Sequence, residues 1–326
     1  MWMFQEGKLK AAILFILLLL SLFLLGCTSS FTDSLPFGKN TEKNAGLELD
    51  EAIPNLGARK GVVFGFQKDN PPNEVFREFD VVLDVVNYMP EDVSGSFDLW
   101  STNNYLEGFQ KIEGGSFTVG GAVYENGKFI KQTLVNPFSQ SVEFSNLRDG
   151  STTQFKVVAN YDVNSAADFN FCLTNPKGDY DPSCKSGETF SGSKLGNYNS
   201  QYPIMVSSVK REFSPVADTS EVRVTLTIQL SNVGGGKVKT GYNTNKRVLD
   251  VDVIGPVNFE CSSADVIDKS LEDSSSIEVE MEKNSVEIIC NEKMEVTQTR
   301  ENVQMRIKTS YGYEIQAETP IIKVEG

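Results

Sequence analysis

Strict alternation of apolar and polar side chains is what most narrows the folds open to this chain. In EVRVTLTIQL, Val222, Val224, Leu226, Ile228 and Leu230 hold one phase, and Arg223, Thr225, Thr227 and Gln229 the other. A period of two sends each set to its own face of an extended strand, one against a core and one toward water. EFDVVLDVV repeats the pattern with Phe79, Val81, Leu83 and Val85. Shorter stretches such as SFTVGGAVY, SVEFSNL, ADFNFCL, RVLDVDVI, SIEVEM and SVEIIC follow it between Gly, Asn, Asp and Pro turns, and no long stretch keeps a helical period. The expectation is an all-β chain of sandwich type.

The alternating stretches also repeat. EFDVVLDVV runs into an Asn and a turn-rich segment, and EVRVTLTIQL does the same about 143 residues later. TTQFKVVANYDV, residues 152–163, corresponds to NVQMRIKTSYGYEI, residues 302–315, at a displacement of about 150. Two diverged copies of one β-unit explain both offsets. Sandwich domains are expected over residues 59–200 and 201–326, joined near GSKLGNYNSQYP, with a signal segment at 1–26 and a flexible tether at 27–58.

The N-terminal part reads as an address. Lys8 and Lys10 precede an apolar run from Ala11 to Leu25. As a helix that run rises about 22 Å, short of the roughly 30 Å hydrocarbon core. It ends in LLGC, Leu24 to Cys27, which resembles the lipobox of secreted lipoproteins; the resemblance implies cleavage before Cys27 and lipid on its thiol. TSSFTDSLPFGKNTEKNAG then suits a tether rather than a core. An uncleaved signal anchor gives the same topology with a helix in place of lipid.

With Cys27 lipidated, Cys172, Cys184, Cys261 and Cys290 remain. Three pairings are formally possible, and proximity favours Cys172–Cys184 with Cys261–Cys290. Separations of twelve and twenty-nine residues are too wide for the usual paired thiolates of a zinc site.

Charge and composition bound the chemistry. Thirty basic and 44 acidic residues give a net charge of −14, which disfavours nucleic acid and polybasic membrane attraction. The chain has no histidine, so Ser-His-Asp and Cys-His catalysis and histidine metal sites are excluded. Asp250 and Asp252 share one strand face, and Glu272 and Asp273 lie in SLEDSSS, but solvated charge explains both more simply than a glycosidase pair or a cation site. NVGGGKV lacks the Ser or Thr ending of a phosphate loop and reads as a hairpin turn. Tyr161, Tyr198 and Tyr202 are a candidate contact patch, although packing at turns and strand edges explains them more simply. No catalytic residue, metal ligand or cofactor is assigned.

The strand–Asn–turn elements REFDVVLDVVNYMPEDVSGSFDL and SEVRVTLTIQLSNVGGGKVKTG, with Asn87 and Asn232 near the strand ends, resemble immunoglobulin-like, cell-adhesion-related modules of archaeal and bacterial surface proteins. Together with the lipobox and acidic composition, the chain is similar to archaeal surface lipoproteins carrying tandem immunoglobulin-like domains. That resemblance implies a non-catalytic adhesion or protein-interaction module, lipid-anchored on the extracytoplasmic face of the cell membrane. Its partners would be other surface proteins or further copies of itself. The alternatives are a subunit or accessory component of a surface filament or membrane complex and, less so, a carboxylate-based glycan hydrolase.

Overall fold

The computed structural model describes residues 60–68, 71–75, 78–102, 109–125, 128–143, 150–178, 181–196, 198–240, 246–267 and 275–324. The signal segment, Cys27, the whole of the tether, Glu272 and Asp273 lie outside the described residues. The first half of the described chain contains β1 (Val62–Phe66), β2 (Glu74–Val75), β3 (Glu78–Asn87), β4 (Val93–Ser101), β5 (Ile112–Val119), β6 (Val123–Glu125), β7 (Lys128–Ile130), β8 (Gln132–Glu143), β9 (Thr152–Thr153) and β10 (Phe155–Thr174). The second half contains β11 (Glu188–Ser191), β12 (Ile204–Pro215), β13 (Glu221–Asn232), β14 (Lys237–Val238), β15 (Val248–Ile254), β16 (Glu260–Ser262), β17 (Ser276–Glu280), β18 (Ser285–Glu295), β19 (Arg300–Glu318) and β20 (Ile322–Val324). The fold is all-β with several antiparallel sheets.

Its backbone is one long sheet ordered β17-β15-β19-β10-β4-β5, with β14 also paired to β19. On β10 and β19 the odd-numbered residues from Phe155 to Leu173 and from Val303 to Ile315 are buried, so one face of this sheet is covered along its length. Two smaller sheets account for the covering, β1-β3-β8 and β11-β12-β13-β18-β16. Facing aromatic rings mark the first contact. Phe64 on β1 meets Phe117 on β5 at 4.7 Å between centroids, and Phe79 on β3 meets Phe155 on β10 at 5.8 Å. Val224, Leu226, Ile228, Leu249, Val251 and Ile307 belong to the same continuous apolar cluster as these phenylalanines. Removal of each such side chain from water contributes about 1.5–3 kcal/mol.

The repeat expected from sequence is present as a repeat of strand order. β1-β3-β8 with β10-β4-β5 in the first half matches β12-β13-β18 with β19-β15-β17 in the second. The halves meet through β10 and β19, which pair antiparallel from Lys156↔Glu318 to Thr174↔Arg300. A displacement of about 150 makes residue 312 the counterpart of residue 162, and Asp162↔Gly312 is itself a pair in this register. Likewise Tyr161 faces Tyr313, while their counterparts Tyr311 and Val163 face each other. A local two-fold relation in strand pairing therefore passes through Asp162 and Gly312. The C-terminal β20 returns to the first half, between β2 and β9. The described residues fall within one compact unit, and residues 192–203, read from sequence as a junction, carry two short 3-10 turns with Leu195, Asn199 and Tyr202 buried.

The turn asparagines act alike in both halves. Asn87 donates from Nδ2 to the Glu91 carbonyl at 2.7 Å, and its Oδ1 accepts from Met89 N at 2.9 Å. Asn232 donates to the Gly236 carbonyl at 2.9 Å and accepts from Gly234 N at 3.2 Å. A short amide side chain can reach backbone groups two and four residues ahead, which fixes the turn after each strand. The alternation reading needs one correction. The second face of β3 is not wet, because Val82, Asp84 and Val86 are buried as well, whereas β13 leaves Arg223 exposed and Thr225, Thr227 and Gln229 half-buried.

Candidate interaction surface

The cysteines pair as Cys172–Cys184 and Cys261–Cys290. Cys261 and Cys290 are direct neighbours across β16 and β18, and their bridge links two strands of one sheet. Cys184 lies in the loop between β10 and β11, so its bridge to Cys172 ties that loop to the end of β10.

Sequence reasoning missed what this loop surrounds. Arg211 on β12 is wholly buried. Its Nη1 donates to the Cys172 carbonyl at 2.6 Å, and its Nη2 donates to the Lys185 carbonyl. The guanidinium lies over Phe171 and Phe213, 5.4 and 5.0 Å from the ring centroids. Burial pulls its pKa down, and Glu188, at 3.7 Å, opposes that pull. Carbonyl acceptors on both sides of the bridge take up the two terminal nitrogens of the buried cation, while Nε is left without a hydrogen-bond partner. The signal was the strand phase: after a bulge in β12, Val209 and Arg211 share the inward set.

Two of the three tyrosines expected to form a contact patch are interior. Tyr161 and Tyr202 are buried, and only Tyr198 is exposed, at 46%. Each of the first two has a polar partner inside the fold, so the packing alternative holds for both and neither hydroxyl needs water. The Tyr161 hydroxyl accepts from Val62 N at 3.1 Å, and the Tyr311 hydroxyl accepts from Ile204 N at 3.0 Å. These are counterpart contacts, each tying the first strand of a half to that half's long strand. Between them Tyr313 donates to Asn232 Oδ1 at 2.7 Å and accepts from Gly236 N at 2.9 Å. Tyr202 donates to Glu91 Oε1 at 2.5 Å. Burial pushes the pKa of all four phenols up, Tyr313 to about 12.

The outer face of the long sheet is polar. Along β10 and β19 it presents Lys156, Asn160, Asp162, Asn164, Asp168, Arg306, Lys308 and Ser310. Arg306 grips Asp168 through two hydrogen bonds, of 2.6 and 3.0 Å, and Ser310 donates to Asn164 at 2.8 Å. A shallow groove of about 550 Å³ crosses the seam at the local two-fold, lined by Asp162, Asn164, Lys239, Asp250 and Ser310, with Gly312 in its floor. Asp250 and Asp252 both lie on this face of β15. Burial and then the Asp252 charge raise the Asp250 pKa. Among the described residues, no group of three or more His, Cys, Asp or Glu is placed to hold a metal. Carboxylate, amide, hydroxyl and ammonium groups side by side equip the groove to hydrogen-bond a polar partner.

A second groove, of about 570 Å³, is lined by Asp98, Trp100, Lys111 and Glu113. Trp100, half-buried, points to the outer face between the buried Leu99 and Ser101. No protein-family model and no curated protein matches this sequence.

Proposed function

We propose that this chain is an extracytoplasmic, lipid-anchored surface protein that acts as a non-catalytic interaction module. In this reading Cys27 holds the membrane and the β-body is two immunoglobulin-like sandwiches fused side by side. The strand order supports the sandwich assignment: β1-β3-β8 opposite β10-β4-β5 corresponds to an ABE sheet facing an FCC′ sheet, and the second half repeats it. In an isolated module of this type the far side of the F strand is free for a G strand. Here each F strand takes the other as that neighbour.

The observation that carries the proposal is the uninterrupted seam. It turns two small modules into one plate with a continuous polar face, and the groove crosses that face where the halves meet. Such a plate suits recognition of a protein partner, in which a rigid and already ordered surface lowers the entropy lost on binding. Two bridges among the four body cysteines fit an oxidising compartment.

A photo-crosslinking residue placed at Lys239 in the groove, with the same residue at Tyr198 as control, tests the assignment in the native cells. Adducts to a distinct surface protein from position 239 alone are expected. A ladder of adducts between copies of this chain would favour the filament alternative, and no adduct from position 239 would contradict an interaction site at the groove.

A further inference from the structure

The strands β6 and β7 pair only with each other, Val123↔Ile130 and Tyr124↔Phe129, and belong to neither of the covering sheets. This ribbon is conspicuous for its side chains. Val123 is 43% exposed, Tyr124 46% and Ile130 47%, whereas the other large apolar residues this exposed among the described ones, Tyr198, Ile254, Ile289 and Ile321, are scattered elsewhere. The cross-strand pair Val123 and Ile130 shares one face of the ribbon and Tyr124 lies on the other, and exposed apolar groups gathered on so short an element are the kind of surface that marks an interaction site.

Where the ribbon springs from indicates what it meets. Ala122, at its base, donates from its backbone N–H to the Met89 carbonyl at 2.7 Å, and the adjacent Tyr88 donates to the Gly61 carbonyl at 2.9 Å. Gly61 is next to the first described residue, where the chain arrives from the apolar run Ala11–Leu25 and Cys27. The end of the body that receives the tether is thus the end that carries the apolar ribbon. On the anchored reading this end is tied to Cys27 by the residues up to Lys60, a length whose coil span would be roughly 30 Å, so the ribbon is held near the bilayer at high effective concentration and a weak contact suffices. Charge agrees. Within residues 121–131 the charged groups at neutral pH are Glu125, Lys128 and Lys131, so this segment lacks the acidic excess of a chain of net charge −14.

We infer that the β6–β7 ribbon rests in the membrane interface beside the chain's own anchor, with Val123 and Ile130 against acyl chains and Tyr124 among the headgroups. The inference rests on the anchored reading of Cys27. Interfacial tyrosine and aliphatic side chains match that depth, and apolar insertion makes the contact insensitive to salt. It also gives the plate a fixed tilt, instead of leaving it to swing on its tether.

The test uses the full lipid-modified chain reconstituted into phosphatidylcholine vesicles whose acyl chains are brominated at defined depths. Its two tryptophans, Trp2 and Trp100, are removed by W100F and, if residue 2 is retained, W2F. One reporter is then introduced by Y124W, or by Y198W as control; both positions are exposed, and circular dichroism checks that each variant is folded. Expected is about a twofold loss of emission for the position-124 reporter, unchanged in high salt, with little loss at position 198. A chain that floats with the vesicles while the position-124 reporter stays unquenched overturns the ribbon inference alone. Shielding of that reporter from aqueous iodide without bromine quenching would do the same, and would assign the ribbon to a second copy of the chain. Equal quenching at both positions would also overturn it, because contact would then be general. A chain that does not float with the vesicles overturns the anchored reading, and the ribbon inference falls with it.

Discussion

Tyr161 and Tyr311 set the first strand of each half against the long strand that follows, through one hydrogen bond each from Val62 N and Ile204 N. Tyr161→Phe or Tyr311→Phe leaves a buried N–H without that acceptor, at a cost of about 1–3 kcal/mol. Because the contacts are counterparts, the two variants should lose similar stability in urea unfolding, and a silent Tyr311→Phe would argue against equivalence. These phenols also govern alkaline behaviour. Their folded pKa values lie above the ordinary value of 10.0, so between that value and the folded one the native state holds protons that the unfolded chain has released. The stability they contribute is complete below about pH 10 and is lost as pH rises, through about 12 for Tyr313. Urea midpoints measured from pH 8 to 11 should fall only above about pH 10. The repeat offset aligned Tyr161 with Tyr311 in the sequence, but a hydroxyl on a ring fits an interior bond and an outside contact equally well. Strand phase was the better guide, since both tyrosines fall in the inward set.

Among the elements, β10 and β19 organise the rest. At 20 residues β10 extends roughly 66 Å, long enough to serve one half with its first part and the other with its second. The sequence hides this continuity. VNSAAD between Val163 and Asp168 is polar and small enough to resemble a turn, so TTQFKVVANYDV and ADFNFCL read as separate strands. It carries neither Gly nor Pro, and Val163, Ser165 and Ala167 keep the inward phase. For β3, Val82 and Val86 on the supposedly wet face were the sign of burial on both sides, a sign absent from the Arg, Thr and Gln of β13. The bridges act at this scale too. By loop entropy, replacing Cys172 and Cys184 with alanine should cost about 3 kcal/mol, and replacing Cys261 and Cys290 about 3.6 kcal/mol. The first pair should cost more than its loop length implies, because the freed loop also carries the carbonyl that Lys185 offers to Arg211. Urea unfolding of each double variant measures this, and a loss at the first pair no greater than about 3 kcal/mol would contradict the role given to Arg211.

For the whole molecule, the all-β character, the repeat and its turn asparagines were legible in the sequence, because alternation and spacing are local. Side-by-side fusion of the halves was not, since pairing between strands about 150 residues apart leaves no mark in either strand alone. A shared sheet and a continuous core predict one cooperative unfolding transition in calorimetry; two resolved transitions, one for each half, would contradict the fusion. The functional account depends most on how the chain meets the membrane. Intact and peptide mass spectrometry of the protein isolated from its native membrane, without reductant, tests that directly. The account predicts a chain that begins at lipid-modified Cys27 with Cys172, Cys184, Cys261 and Cys290 oxidised. A chain retaining Met1 with an unmodified Cys27 would contradict it.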